Sequence, residues 1–363
     1  MCRKAILKPM IGNRMPSYNA LLESDLRHIF SRTESLWKNC KDKTVLLTGG
    51  TGFFGKWFLE TISFLNSERD LNLKAIVVSR APEKFLDEYP HFRQPAIQFI
   101  QGDIRSFSFP KEPVHYIIHA GTSASEKFGD ERPLEMFNTI VDGTRYVLNL
   151  AKEKKVESFL FTSSGAVYGK QPAEMTHIPE SYSGAPDSTD ARSAYGEGKR
   201  AAEMLCSLYY RQYQVPVKIA RCFAFVGPYL PLDAHFAIGN FILNVLKNED
   251  IVIQGDGTPS RSYLYAADLM VWLWTILLFG KSNEPYNVGS DKESTIYEIA
   301  QKINETLKTR NNIVVLQKSH LSVPGSSYTP SVEKCKKDLH LQQVIALDEC
   351  IKKTYQYYRN KPV

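Results

Sequence analysis

Six short, largely apolar runs constrain this chain more than anything else in it. They are "TVLLT", "KAIVVS", "IQFIQ", "VHYIIHA", "SFLFTSS" and "VKIARCF", placed between Thr44 and Phe223. A strand with one wet face alternates apolar and polar residues, whereas a run with almost no polar face belongs to a strand covered on both sides. Longer segments of helical spacing separate these runs. Strand, helix, strand repeated in this way predicts an α/β fold, a doubly wound parallel sheet with helices on both faces. After Cys222 the alternation loosens into loops, a Trp-bearing apolar segment, a strand-like "PYNVGS" and two polar helices. That pattern predicts a smaller C-terminal domain interleaved with the sheet. The expected division is a helical extension over 1–42, a sheet domain over 43–223 with return segments near 262–290, and a second domain over 224–363. The extension places Leu21, Leu22, Leu26, Ile29, Phe30, Leu36 and Trp37 at near-helical spacing, as a packing arm would.

Bulk properties narrow the classes. A chain of 363 residues can bury one or two cores. Its net charge of +6 comes from basic residues that are mostly scattered, so nucleic acid is not an expected partner. The six cysteines form no C-x-x-C pair, so no metal site is expected and the thiols read as reduced. "LMVWLWTILLFG" is shorter than the ~20 residues that span a bilayer and reads as a buried helix. The N-terminus lacks the apolar core of a signal peptide. The expectation is a soluble, cytoplasmic protein with no membrane partner.

Between the first run and the helix that follows lies "LLTGGTGFFG", with Gly49, Gly52 and Gly55 three residues apart. In a strand–loop–helix context this is a dinucleotide-binding arrangement. Gly49 allows the tight turn, Gly52 lets the backbone approach a pyrophosphate, and Gly55 lets the helix pack close to its strand. The helix N-terminus offers unpaired N–H groups to the phosphates. Further on, "SAYGEGKRAAEMLCSLYY" puts Tyr195 and Lys199 on one helical face. A cation one turn from a phenol in a dry site favours the phenolate and so predicts an acid/base usable near neutrality. Ser163 and Ser164 end the strand upstream, where a hydroxyl can meet a sugar hydroxyl or ketone.

These motifs, with "GDIR" at 102–105, "HAGT" at 119–122, "NTIVDGT" at 138–144, "SSGAVYG" at 163–169, "GDGTPSRSYLYAADL" at 255–269 and "YNVGS" at 286–290, resemble the NAD-dependent epimerase/dehydratase family. That family is the nucleotide-sugar-modifying branch of the extended short-chain dehydrogenases/reductases. The resemblance implies a Rossmann-like fold, an NAD(P) cofactor and a nucleotide-sugar substrate. By position it implies Ser164, Tyr195 and Lys199 as the catalytic set. It implies cofactor contacts from Gly49, Gly52, Phe53, Phe54, Gly55, Ser79, Arg80, Asp103, Ile104, His119, Ala120, Gly121, Thr122, Asn138 and Thr162, and from Tyr195 and Lys199. Substrate contacts would come from Ser123, Ser164, Gly165, Ala166, Tyr168, Ala224, Asn240 and Arg261. His235 reads either as a further substrate ligand or as a packing histidine. His119 reads as structural, near the cofactor.

Dehydratases of this family carry an Asp-Glu pair after the catalytic hydroxyl residue, and sugar-acid decarboxylases keep a Glu there. This chain has Gly165 and Ala166, neither of which transfers a proton. The expectation is therefore an epimerase acting through a transient keto-sugar. An NADPH-dependent 4-keto-sugar reductase is the alternative, ahead of a 4,6-dehydratase or decarboxylase. A cofactor-binding regulatory protein is the non-enzyme alternative, disfavoured by the intact Ser, Tyr and Lys set. A membrane-bound sterol-type dehydrogenase of the same superfamily would need a spanning segment. At the end of the second run, Ser79 and Arg80 stand where an NAD site offers a carboxylate, which favours NADP unless Arg80 merely stacks on adenine. The segments around 136–153 and 198–213 are apolar on more than one face and predict a homodimer.

Overall fold

A computed structural model describes residues 20–122, 129, 131–234, 236–317 and 326–360. Its centre is a seven-stranded sheet. In chain order the first six strands are β1 (Thr44–Thr48), β2 (Lys74–Ser79), β3 (Ile97–Gln101), β4 (Tyr116–His119), β5 (Ser158–Ser164) and β6 (Val217–Cys222). The seventh is Pro285–Val288, and the spatial order is β3-β2-β1-β4-β5-β6 followed by that seventh strand. All neighbours are parallel, with Thr48 level with Val78 on one side and His119 on the other. The strand order reverses between β1 and β4, and in open α/β sheets that reversal leaves a crevice beyond the strand ends.

The apolar runs are buried on both faces because each strand feeds two cores. Val45 and Leu47 of β1 pack into one, Leu46 into the other, and β2 divides likewise between Ala75 and Val77 and between Ile76 and Val78. On the first face lie α1 (Ala20–Thr33) and α2 (Phe53–Arg69), with α3 (Pro82–Glu88) after β2. On the second lie α4 (Pro133–Lys154) and α5 (Ala194–Tyr213). Downstream come α6 (Ala237–Leu246), α7 (Ala266–Phe279), α8 (Ile296–Leu307), α9 (Glu333–Leu339) and α10 (Leu347–Arg359). The apolar run at 269–280 lies in α7, whose residues 266–277 are buried. Among the described residues no helix is long and apolar enough to cross a membrane.

The described part of the extension, α1 and the 3-10 turn Glu34–Asn39, packs on α7. Trp274 of α7 meets Trp37 edge-on at 5.0 Å and Phe58 at 5.2 Å, pairs worth about 0.5–1.5 kcal/mol each beyond burial. The carboxylate of Asp25 accepts from Tyr265 Oη (2.7 Å) and Lys353 Nζ (2.6 Å), joining residues from both chain ends. The remaining strands are short. Ser260–Ser262 pairs antiparallel with Glu293–Thr295 and parallel with Ser327–Tyr328, and Ile251–Ile253 pairs parallel with Ile313–Val315.

Candidate active site

The glycine loop closes over the end of β1. Gly49 has φ +71°, and a Cβ there would stand 2.3 Å from the carbonyl oxygen of Ala120 after β4. Only a residue without a side chain fits between the two strand ends. At Gly55 a Cβ would lie 2.3 Å from Gly50 Cα, so this glycine lets α2 start against the loop. At Gly52 the nearest atom would be Gly49 O at 3.3 Å, so its outer side is open to a ligand. The first N–H groups of α2, from Phe53 to Gly55, have no partners within the helix. The rings of Phe53 and Phe54 are half-buried against the core, Phe54 lying 5.3 Å from Phe225, while their main chain stands at the start of α2.

Beyond the loop lies a crevice of about 470 Å³. Its walls include Gly52, Ser79, Arg80, Lys84, Asp103 and Thr122, with Ala120, Gly121 and Ile104 at its base. Arg105, the last residue of "GDIR", and Lys56 add further cations, and neither Lys56 nor Lys84 belongs to the motifs read from the sequence. A groove at the topological switch, open over Gly52 and lined by Lys56, Arg80, Lys84 and Arg105 as well as by Glu88, Asp103 and Glu135, fits a dinucleotide with its pyrophosphate at the α2 N-terminus.

Several expected cofactor contacts take other roles. His119 does not reach the crevice: its Nδ1 pairs with Thr48 Oγ1 (2.8 Å) and its Nε2 with Thr144 Oγ1 (3.0 Å). Burial pushes its imidazole down to about 3, so it stays neutral and structural. Asp103, expected to reach adenine, is held by Arg105 through both carboxylate oxygens (2.7 and 2.9 Å), which keeps it ionised and largely occupied. Asn138 is half-buried on α4 beside Thr139, which does line the crevice. Thr162 contributes its carbonyl rather than its hydroxyl, which donates to His119 O.

Ser164, Tyr195 and Lys199 converge where β5 ends and α5 begins. Ser164 Oγ accepts the N–H of Ala166 (3.1 Å) and lies close enough to the Tyr195 phenol to favour its ionised form. Ser163 points elsewhere, donating to Glu203 Oε1 (2.5 Å), which leaves Ser164 as the hydroxyl of the site. Lys199 Nζ donates to Thr122 Oγ1 (3.1 Å) and Thr162 O (2.8 Å), 5.9 Å from the centre of the Tyr195 ring. Burial pushes Lys199 down to about 8. Burial likewise pushes Tyr195 up to about 12, only partly offset by Ser164. This corrects the expectation of a phenol ionised near neutrality: burial raises it and only the Ser164 hydroxyl offsets the rise, while the ammonium donates to Thr122 and Thr162.

The substrate side departs further from the reading. Tyr168 is buried, donating to Asn287 Oδ1 (2.8 Å) and accepting from Arg221 Nη1 (2.9 Å), so its hydroxyl is used inside the fold. Ala224 is buried, its carbonyl accepting from Leu264 N. Asn240 is half-buried on α6. Arg261 donates to the carbonyls of Ser260 and Ser326. Ser123 and His235 lie outside the described residues. Gly165 and Ala166 are beside Ser164, as expected, but a residue no motif flagged joins them. A Cβ on Gly165 would stand 2.4 Å from Tyr328 Oη. Tyr328 arrives from the far end of the chain, in "SSYTPS", and nothing in that stretch marks it among the 19 tyrosines.

Residues 45–289 match the NAD dependent epimerase/dehydratase family. UDP-glucuronic acid decarboxylase 6 of Arabidopsis thaliana is 30% identical over 308 residues, 84% of this chain and 85% of that protein. UDP-glucuronic acid decarboxylase 1 of Danio rerio is 28% identical over 316 residues, 87% of this chain and 72% of that protein. The UDP-glucose 4-epimerase of Thermotoga maritima, solved with UDP-glucose, superposes with a TM-score of 0.74 at 23% identity, covering 87% of this chain and 98% of that one. The dTDP-glucose 4,6-dehydratase of Bacillus anthracis, solved with NAD, gives 0.72 at 23% identity, covering 87% and 96%.

Proposed function

This chain belongs to the NAD-dependent epimerase/dehydratase family, and from that premise we propose that it epimerises a nucleotide sugar through a transient keto-sugar. The observation that carries the reading is the convergence of Ser164, Tyr195 and Lys199 beside Gly165 and Ala166, two positions that offer no carboxyl group. A nicotinamide dinucleotide, when bound, takes up a hydride from the sugar carbon and returns it. Tyr195 carries the hydroxyl proton that leaves with it, Ser164 gives the sugar oxygen a hydrogen-bonding partner, and Lys199 supplies the charge that favours the ionised phenol. Residues 49–55 and the cations of the crevice hold the cofactor, and Arg261 is the basic residue assigned to the substrate diphosphate.

The test is a panel of UDP-, GDP-, CDP- and dTDP-sugars followed by NMR. An epimerase inverts a sugar carbon with no net change at the nicotinamide absorbance band, and Tyr195→Phe abolishes this while cofactor stays bound. Product that tracks cofactor oxidation one for one would sink the epimerase reading in favour of a reductase. The 30% identity to a decarboxylase over most of both chains supports a second reading, decarboxylation of a sugar acid. Release of CO2 from UDP-glucuronate would establish it instead.

For the cofactor, we infer a preference for NADP. Arg80 and Lys84 stand near the end of β2, and Asp103, the nearby carboxylate, is already paired with Arg105. Arg80→Ala should weaken NADP about tenfold and NAD little; calorimetry showing equal losses would reduce Arg80 to a stacking residue. We further infer a homodimer through α4 and α5, whose outer faces expose Leu134, Met204, Leu208 and Tyr213. Leu208→Glu should shift light scattering from dimer to monomer; a wild-type monomer at micromolar concentration counts against the pairing.

A further inference from the structure

Tyr328 is held in place by contacts on both sides of it. Ser327–Tyr328 runs parallel to Ser260–Arg261. Thr329 N donates to Gln171 Oε1 (3.0 Å), Ile178 N donates to Thr329 O (2.9 Å), and Ser331 N donates to Ile178 O (2.9 Å). The hydroxyls of Ser327 and Thr329 both donate to Glu293 Oε2, at 3.1 and 3.2 Å. The Tyr328 ring lies against Phe223, centroids 4.7 Å apart, with the Arg261 guanidinium 5.9 Å from its centre. Anchored in this way, the side chain reaches across to the end of β5. Its oxygen takes the volume that a side chain at position 165 would need. Ser164 lies close enough to this phenol, as it does to that of Tyr195, to favour its ionised form. Burial pushes Tyr328 well above the usual tyrosine range, so it is a neutral group that donates.

We propose that Tyr328 is a catalytic residue, its hydroxyl donating a hydrogen bond to the oxygen of the reacting sugar alongside Ser164 and Tyr195. The proposal rests on the nucleotide-sugar reading above. It gives Gly165 a positive role: the glycine is what admits the phenol. The site then has two phenols and a serine around one oxygen, with the second phenol delivered from about 160 residues downstream rather than from the β5 loop. A donor aimed at the oxygen as it becomes a carbonyl acts on the transition state more than on the bound nucleotide.

Tyr328→Phe removes the hydroxyl and keeps the ring against Phe223. The full-length wild type and variant are compared, with cofactor, on UDP-glucose, UDP-N-acetylglucosamine, UDP-glucuronate and dTDP-glucose, product being followed by NMR. UDP and cofactor affinities come from calorimetry and the melting temperature from circular dichroism. The expected result is a loss of kcat of about 10²- to 10³-fold, with both affinities and the melting temperature unchanged. A variant that turns over at the wild-type rate overturns the proposal and leaves the function reading standing. A parallel fall in melting temperature or UDP affinity also overturns it, because the residue would then be structural. A wild type inert on every sugar in the panel overturns the nucleotide-sugar reading, and the proposal with it.

Discussion

The crevice over β1 and β4 and the ground behind Tyr328 are built by different means. The floor of the crevice is made of main chain: a loop with Gly49 at positive φ, strand ends and the start of a helix, with the contact to the next strand end fixed by an absent side chain. The ground behind Tyr328 is made of side chains far apart in sequence. Arg221 holds Glu203 through both carboxylate oxygens (3.0 and 2.7 Å), Tyr168 through its hydroxyl and Glu180 through its carbonyl. Asn287 accepts from Tyr168 and donates to the carbonyls of Ile178 and Ser331. That network ties the loop at 170–193 and the segment at 326–331 to the edge of the sheet. A backbone contact depends on the residue at one or two positions, whereas a buried polar network fails when any one member is lost.

Cutting the network should therefore cost most. Glu203→Ala leaves the Arg221 cation buried and uncompensated, and should destabilise the fold by about 3–5 kcal/mol, read by urea unfolding. A loss below about 1 kcal/mol would mean that the pair behaves like a surface bridge, and the contrast between the two regions would collapse. The crevice should respond differently. Gly49→Ala forces a side chain into the left-handed region and onto Ala120 O, and should cost about 1–3 kcal/mol. Cofactor affinity should fall more steeply than stability, because the loop can shift only outward, into the ligand's space. If calorimetry finds cofactor binding intact, the tight approach of β1 to β4 is not what shapes the pyrophosphate site.

The smallest effect sits where the two regions meet. Lys199 joins Thr122 of the crevice to the catalytic end of β5, and burial lowers its folded pKa to about 8. The sign follows from charge: the ammonium is present below that pH and is lost as pH rises through it. Activity should fall on an alkaline limb near pH 8 in kcat/KM, as the charge favouring the Tyr195 phenolate disappears. Stability moves the other way, since the buried cation penalises the fold below about pH 8 and that penalty lifts between there and the unfolded value near 10.4. A pH profile flat to pH 10 would show that Lys199 keeps its proton and that the crevice solvates it better than its burial implies.

Much of this could be read from the residues in order. The six runs became β1 to β6 because apolar, β-branched stretches covered on both faces have few other uses. The glycine loop was legible because strand, loop and helix are contiguous and Gly55 answers to Gly50 within that unit, whereas the Ala120 carbonyl that confines Gly49 comes from the end of β4. Tyr195 and Lys199 were legible because helical spacing puts them one turn apart. What the sequence left open was the state of each group. Tyr168 looked available for a ligand and is engaged inside the fold, and the Tyr195 phenol is raised rather than lowered. Those outcomes depend on burial and on partners that chain order does not reveal.

Tyr328 marks the boundary most clearly. By itself the sequence determined the parallel sheet, the crevice at its reversal and the spacing of the catalytic pair, because these follow from periodicity and from backbone sterics within a few residues. Only the tertiary structure decided that an unremarked tyrosine in "SSYTPS" would stand over Gly165. Its position comes from the strand pairing with Ser260–Arg261 and from hydrogen bonds to Gln171, Ile178 and Glu293. Contacts of that kind form only once the chain has closed over distances of tens to more than a hundred residues, and no local pattern records them.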